Sequence, residues 1–405
     1  MTDTKLLHHM LQEPLTLPCG AVLKNRLVKS AMSDSLADGQ GNSTTEQKRL
    51  YERWAEGGVA LSIIGEVQID PRFPEKPGNL VLGAGADQPA LQALARRASI
   101  NDAHLWPQLG HAGALAHPPI SHPKGPSALN VGELHCAGMS TDEVRALPAM
   151  FAAAAVRAKT IGFGGAQIHA GHGFLLSQFL SPLFNRRTDQ FGGSVDRRCR
   201  VIIDVVEAVR RAVGPDFPIA IKINATDNLE GGLTQDDALE AVGLLDQTSL
   251  DLIDISGGTY FPGAKAASDG AGSGPYFLDF ARRARARTDT PLMLTGGFKT
   301  RQQAIDAVAS GAVDLIGIAR ALVLDPRLAD NWLNADAGDP VFPRFTSPPP
   351  GGMTAWYTMR LTALAEDRED TFSLDLPAAI HAYDMRDAGR CKIWRQAFPQ
   401  QATAP

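Results

Sequence analysis

The 405-residue chain has only four cysteines, Cys19, Cys136, Cys199 and Cys391, with no CxxC pair among them. Thiols so far apart make neither a zinc ribbon nor the clustered ligands of an iron–sulfur site. No run of about 18 apolar residues occurs, so no membrane-spanning helix is expected. The opening MTDTKLLHHMLQEP is broken by Asp3, two histidines and Glu13, and does not read as a secretory leader. Basic residues are not in excess: 39 Lys and Arg against 44 Asp and Glu leave a net charge of −5, without a basic stripe for nucleic-acid phosphates. No GxGxxG opens the first strand–helix turn, which weakens an open doubly wound sheet. What remains is a cytoplasmic protein whose partners are small molecules, not nucleic acid or membrane.

What the chain does contain is ordinary globular composition, 44% hydrophobic and 20% charged, with many turn formers (39 Gly, 27 Pro). Short apolar, β-branched runs recur at Leu27–Ala31, Val59–Ile64, Leu105–Leu109, Ala166–Ile168, Ile219–Ile223, Leu252–Ile255, Pro291–Leu294 and Leu315–Ile318. Helical spacing fills the intervals, as at Thr141–Ile161 and in Val195–Val213, where Val201, Val205 and Val209 form one stripe. Eight such units predict a (β/α)8 TIM barrel of the α/β class, a single domain over residues 1–340. Residues 114–140 form an excursion after the third strand. Residues 341–405 form a C-terminal extension packed on or near the barrel.

In such barrels the site lies at the C-terminal ends of the strands. Those ends carry Met32 and Ser33, then Glu66, Gln108 and His111, the pair His169 and His172, Lys222, and Ser256. The last two carry Gly296-Gly297 and Gly317 with Arg320. Glycines after strands seven and eight commonly seat a phosphate, and Arg320 adds a charge-assisted contact; the phosphate's owner, substrate or cofactor, stays open. The two histidines read as metal ligands or as N–H donors to a carbonyl or phenolate oxygen; against the metal, the first strand ends in Ala31-Met32-Ser33 rather than an H-x-H pair, and no dense carboxylate set accompanies them. A metal-dependent hydrolase using Glu66, His111, His169 and His172 is the alternative of another class.

From His169 to Arg198 the run HAGHGFLLSQFLSPLFNRRTDQFGGSVDRR resembles the hallmark segment of the Old Yellow Enzyme family. KNRLVKSAMS, WAEGGVAL, QLGHAG, IKINATD and the late GGF and GIAR support it in order, over roughly residues 10 to 340. The resemblance implies an FMN-dependent NAD(P)H oxidoreductase, an ene-reductase in which NADH or NADPH reduces bound FMN. Hydride then passes from flavin N5 to an electron-poor alkene, a quinone or a related acceptor. By the same resemblance, Ala31, Met32 and Ser33 lie beside the isoalloxazine, and Gln108 meets its pyrimidine edge. Lys222 stands near N1 and the C2 oxygen, where a fixed cation raises the reduction potential. Gly296, Gly297, Gly317 and Arg320 hold the phosphate, and His169 and His172 hold the substrate carbonyl. A homodimer or homotetramer is implied as well.

One position departs from the family pattern. Relatives carry a proton-donating Tyr two residues after the second histidine, and this chain has Phe174. General acid help is worth about 10² to 10⁴ in rate, and phenylalanine supplies none. Tyr260, Tyr357, Tyr51 or water substitutes, or the enzyme works as an isomerase, an oxidase or dehydrogenase, or a flavin holder without reductive turnover. Phe174→Tyr is expected to raise turnover of a cyclic enone. After residue 340 neither a cysteine cluster nor a second dinucleotide motif appears, so electrons are expected to come directly from a diffusible donor.

Overall fold

The computed structural model describes residues 9–262, 264, 274–334 and 338–399. Eight parallel strands close into a barrel: β1 (Leu27–Met32), β2 (Leu61–Gln68), β3 (His104–Gly110), β4 (Ala166–Ala170), β5 (Ile219–Asn224), β6 (Leu252–Ser256), β7 (Leu292–Thr295) and β8 (Leu315–Ile318). β8 pairs back onto β1 through Ile316–Leu27 and Ile318–Lys29, which closes the ring. This is the (β/α)8 TIM barrel predicted. The helices α1 (Thr45–Glu56), α2 (Gln88–Ala98), α3 (Thr141–Ile161), α4 (Val195–Val213), α5 (Gln235–Leu245), α6 (Leu278–Arg285), α7 (Arg301–Ala309) and α8 (Leu328–Asn334) follow the strands. Several start where a side chain satisfies the first free N–H groups. Thr44 and Thr234 cap α1 and α5, and Ser140 with Glu143 and Thr300 with Gln303 form reciprocal boxes. α8 starts only at Leu328, because Pro326 separates it from a five-residue turn of helix at Arg320–Leu324.

Alternation along the strands sorts two cores. On β5, Ile219, Ile221 and Ile223 face the helices and join the large cluster with Val205, Val209 and Val242, whereas Ala220 points inward. Inside, Val28, Leu61, Trp106, Leu252, Met293 and Leu315 fill the lower barrel. A two-stranded hairpin (Leu15–Thr16 with Val22–Leu23) contributes Leu17 and Leu23 to the same cluster and plugs the bottom. Apolar packing at that end leaves the open end for polar residues.

The predicted excursion is a small three-stranded sheet (Lys124–Gly125, Leu129–Val131, Leu134–Gly138) whose Leu129 and Leu134 pack with Phe184 and Phe261. The chain after 340 forms α9 (Gly352–Ala365) and α10 (Leu376–Ala397). Arg53 of α1 pairs with Glu369 and also donates to the Leu364 carbonyl at 3.0 Å. From α10, Arg390 donates to the Ser35 carbonyl at 2.5 Å, and Trp394 is buried with Val81 and Ile120.

Candidate active site

Above the apolar floor the barrel interior turns polar. Lys222 on β5 and Asp254 on β6 are register partners, both completely buried, and pair at 3.1 Å. Lys222 Nζ also donates to Ser30 Oγ at 3.1 Å. Asp254 accepts from Thr295 Oγ1 at 2.7 Å and Gln167 Nε2 at 3.0 Å, and Gln108 donates to Gln167 at 2.7 Å. A buried ion pair recovers its desolvation cost only when its remaining polar valences are filled, and this network fills most of them, with Lys222 also facing the cavity above. Lys222 was legible in the sequence; its counter-ion was not, although an Asp at an inward position of the apolar LIDIS strand is the signal that marks it.

Over this layer opens a cavity of about 640 Å³. One wall is Ala31, Met32 and Ser33 from the end of β1, and Lys222 is at the floor. His172, Thr259 and Tyr260 stand on another side, and Gly296, Tyr276 and Arg320 at one end. A further wall comes from the C-terminal chain: Pro348–Gly351, Met353, Tyr357, Leu361 and Tyr383. Of the residues expected from the sequence, Ala31, Met32, Ser33, His172, Lys222, Gly296 and Arg320 meet here. Gln108, His169, Phe174, Gly297 and Gly317 do not line the cavity directly. At Gly297 a Cβ would lie 2.3 Å from the Gly274 carbonyl oxygen, and at Gly317 2.2 Å from Thr295 Oγ1. Both positions therefore require glycine for close packing as well as for any anion.

The loop after β4 sets the histidines. His172 takes a left-handed backbone (φ +59°) followed by Gly173 (φ +82°), and its N–H is held by Asn224 Oδ1 at 2.8 Å. Its Nε2 lies 2.9 Å from Ser256 Oγ. His169 is buried; Gly171 N–H points to its Nδ1 at 3.4 Å, which leaves the proton on Nε2. That Nε2 is 2.9 Å from Glu66 Oε1 but outside the N–H direction, and has no aligned hydrogen-bond partner. Burial first, then the Lys222 charge, drives His169 down to about 3, and His172 lies well below the usual range through burial, then His169, then Lys222. Both rings are neutral donors at pH 7.

Two carboxyls flank the site: Glu66, expected at the end of the second strand, and Glu75, which the sequence reading missed. Register shifts on both sides of β2 mark a bulge, and Glu66 within it has φ +55°. Burial raises Glu66 to about 8. Glu75 lines the cavity, accepts from Ser33 Oγ at 3.2 Å and Asn79 Nδ2 at 3.3 Å, and is raised to about 7 by burial and then by Glu66. Tyr51 is withdrawn as a proton donor to this cavity: it is fully buried in α1 and gives its hydroxyl to Asp34 at 2.8 Å. The hydrolase arrangement fails on geometry too. His111 stacks on Phe73 at 4.4 Å, and among the described residues no three His, Cys, Asp or Glu side chains converge as metal ligands.

Residues 10–333 match the model of the NADH:flavin oxidoreductase / NADH oxidase family. A protein named NADH-dependent flavin oxidoreductase from Hypocrea jecorina is 35% identical over 350 residues, covering 78% of this chain and 86% of that one. An NADPH dehydrogenase of Geobacillus thermodenitrificans is 31% identical, covering 76% of this chain and 89% of the relative. Among solved structures, a 2-naphthoyl-CoA reductase with 2-naphthoyl-CoA superposes with a TM-score of 0.75 at 25% identity. That alignment covers 81% of this chain and 52% of the longer one.

Proposed function

The chain belongs to the NADH:flavin oxidoreductase / NADH oxidase family and is an FMN-dependent oxidoreductase of the Old Yellow Enzyme type; from that premise we propose that it passes hydride from NADH or NADPH, by way of FMN, to an α,β-unsaturated carbonyl compound or a quinone. The residues present fit the cofactor. The cavity is large enough for a flavin with room for a small acceptor, has a buried cation at its floor, and has an arginine beside glycine at one end. The observation that carries the reading is this placement of Lys222 and Arg320 at separate points of one cavity that His172 also lines. Bound FMN supplies a two-electron carrier that accepts hydride from the nicotinamide and gives it to the second substrate.

The protein's own residues do the rest. Lys222 places positive charge where the pyrimidine end of the ring would collect negative charge; Asp254 holds that ammonium in position and offsets part of its field. Ala31, Met32 and Ser33 give a flat, mostly apolar flank. Arg320, with its guanidinium 5.7 Å from the Tyr357 ring centre, would hold the phosphate with Gly296 and, through their backbone, Gly297 and Gly317. Gln108 would serve the ring edge. His172, with the unpaired Nε2–H of His169 behind it, would hold the acceptor's carbonyl oxygen, and neutral imidazoles suit that role because they donate without adding charge.

Anaerobic titration tests the proposal. The purified protein is expected to be yellow, to bleach with NADH or NADPH, and to recover colour with 2-cyclohexenone or benzoquinone. Protein that cannot take up FMN, or that bleaches and is reoxidised by neither acceptor, would overturn it. Phe174 favours a second reading, flavin-dependent isomerisation or oxidation, which converts substrate without consuming NAD(P)H. All four cysteines are free thiols, which supports a cytoplasmic location. The division at residue 340 into an FMN-binding barrel and a C-terminal extension belongs to the same reading, as does assembly into a homodimer or homotetramer.

A further inference from the structure

Phe174 is buried between His169, at a ring separation of 5.2 Å, and a cluster of Phe73, Ala112 and Ala116. Its other ring neighbour is Tyr260, with centres 5.8 Å apart. The chain has five tyrosines; Tyr276, Tyr357 and Tyr383 line other parts of the same cavity, and among the described residues Tyr260 is the tyrosine in ring contact with Phe174. Tyr51 is committed to Asp34, Tyr276 packs at the Gly296 end, Tyr357 lies under Arg320, and Tyr383 is flanked by Lys76 and Arg386.

The backbone fixes Tyr260 beside the histidine pair. His172 and Thr259 form a parallel bridge, and Tyr260 N–H donates to the His172 carbonyl at 3.2 Å. The approach is so close that a Cβ on Gly173 would sit 2.1 Å from Thr259 Oγ1. On the other side Phe261 is anchored edge-on against Phe184 at 4.9 Å. The Tyr260 side chain is 67% exposed, and it opens into the cavity it lines. A phenol thus stands next to the ring that occupies the family's acid position, held by the same loop contact that positions His172.

We propose that Tyr260 is the catalytic acid that protonates the carbon next to the carbonyl, the step Phe174 cannot perform; this rests on the reductive reading above. Once hydride has reached the β-carbon, an electron pair is shared between the α-carbon and the carbonyl oxygen held by the histidines. The Tyr260 O–H bond breaks, its proton joins that pair to form the α-carbon C–H bond, and water entering the cavity reprotonates the phenolate. NAD(P)H supplies both electrons, so no further reductant is needed. An ordinary phenol, with a pKa of about 10, keeps its proton across the neutral range, so Tyr260 is available as a donor there.

The test compares wild type, Tyr260→Phe and Tyr260→Phe/Phe174→Tyr in single turnovers of the reduced holoenzyme with 2-methylcyclohexenone and with benzoquinone, which needs no carbon protonation. The enone-to-quinone rate ratio is expected to fall about 10²-fold in the single variant and to recover in the double variant. In D2O, wild type is expected to deuterate one face of the α-carbon and the single variant both faces. Independently of turnover, saturating 2-methylcyclohexanone is expected to protect Tyr260 from nitration, read by peptide mass. An unchanged ratio with one-face deuteration in Tyr260→Phe, or no protection, overturns the proposal. Wild type that reduces quinone but no enone overturns the alkene reading and this proposal together, a pattern distinct from loss of the Tyr260 effect alone.

Discussion

The barrel and the C-terminal chain share one cavity but are held by different forces. Residues 10–333 match the family, and they supply Lys222, Arg320 and both histidines. Their polar layer is completely buried and tied strand to strand. The chain after 338 lies outside that match, yet Met353, Tyr357 and Tyr383 make a wall of the same cavity. It is fastened by partly exposed ion pairs such as Arg49–Asp367, by the Arg390–Ser35 bond, by Leu361 and Leu364 of α9, which join the large core, and by Trp394 of α10. On the reading proposed above, the shared region would carry the electron chemistry, and the tail would help the barrel loops shape what reaches it.

The contrast can be broken most severely at the barrel's polar layer. Lys222→Met leaves Asp254 buried without its cation and is expected to cost about 3–5 kcal/mol, read from chemical unfolding. Adding Asp254→Asn is expected to recover part of that loss. A single-variant loss below about 1 kcal/mol would mean the pair is not central to the barrel. Next comes an anchor of the tail. Trp394→Ala is expected to cost about 3–5 kcal/mol, confined to α10. Limited proteolysis should then cut the C-terminal chain while the barrel persists; simultaneous loss of both would show one cooperative unit instead.

Smaller effects sharpen the comparison. Met353→Ala enlarges the cavity at the wall supplied by the tail and is expected to change KM for a bulky enone about tenfold, equivalent to ~1.4 kcal/mol. The bleaching rate with NAD(P)H should change by less; equal effects on both would remove the division of labour. The smallest effect is on pH. Glu66 is raised from 4.5 to about 8 when folded, so the unfolded chain gives up this proton first and stability falls as pH rises through that interval. Between about 7, where Glu75 has titrated, and 8, Glu66 is the carboxyl still losing its contribution. Glu66→Gln is expected to flatten the thermal midpoint there. His169 acts in the opposite sense: lowered from 6.5 to about 3, it favours the folded state above 6.5 and costs stability as pH drops towards 3.

Much of the fold was readable because burial on both faces writes a strand as an uninterrupted apolar run. β8 matches its expected bounds, and β1 extends one residue past Ala31 to Met32. β2 departs most, running to Gln68 rather than Ile64, because a bulge lets the strand pair again beyond Glu66. The site was half readable for a related reason. Residues at strand ends in a barrel must share one rim, so Lys222, His172 and Arg320 could be grouped without coordinates. Gln108 and His169 share the rim but do not line the cavity directly, since alternation and loop path decide which side chain reaches open space.

Local sequence, then, determined the alternating strands and helices, the absence of tyrosine at position 174 and the inward parity of Lys222. Each follows from chemistry that acts over a few residues. Only tertiary structure decided that Asp254 neutralises Lys222, that Glu75 reaches Ser33, that the tail walls the cavity and that Tyr260 stands against Phe174. Those neighbours are far apart along the chain. Barrel closure and the docking of α9 and α10 bring them together, and no local pattern encodes the distance between them.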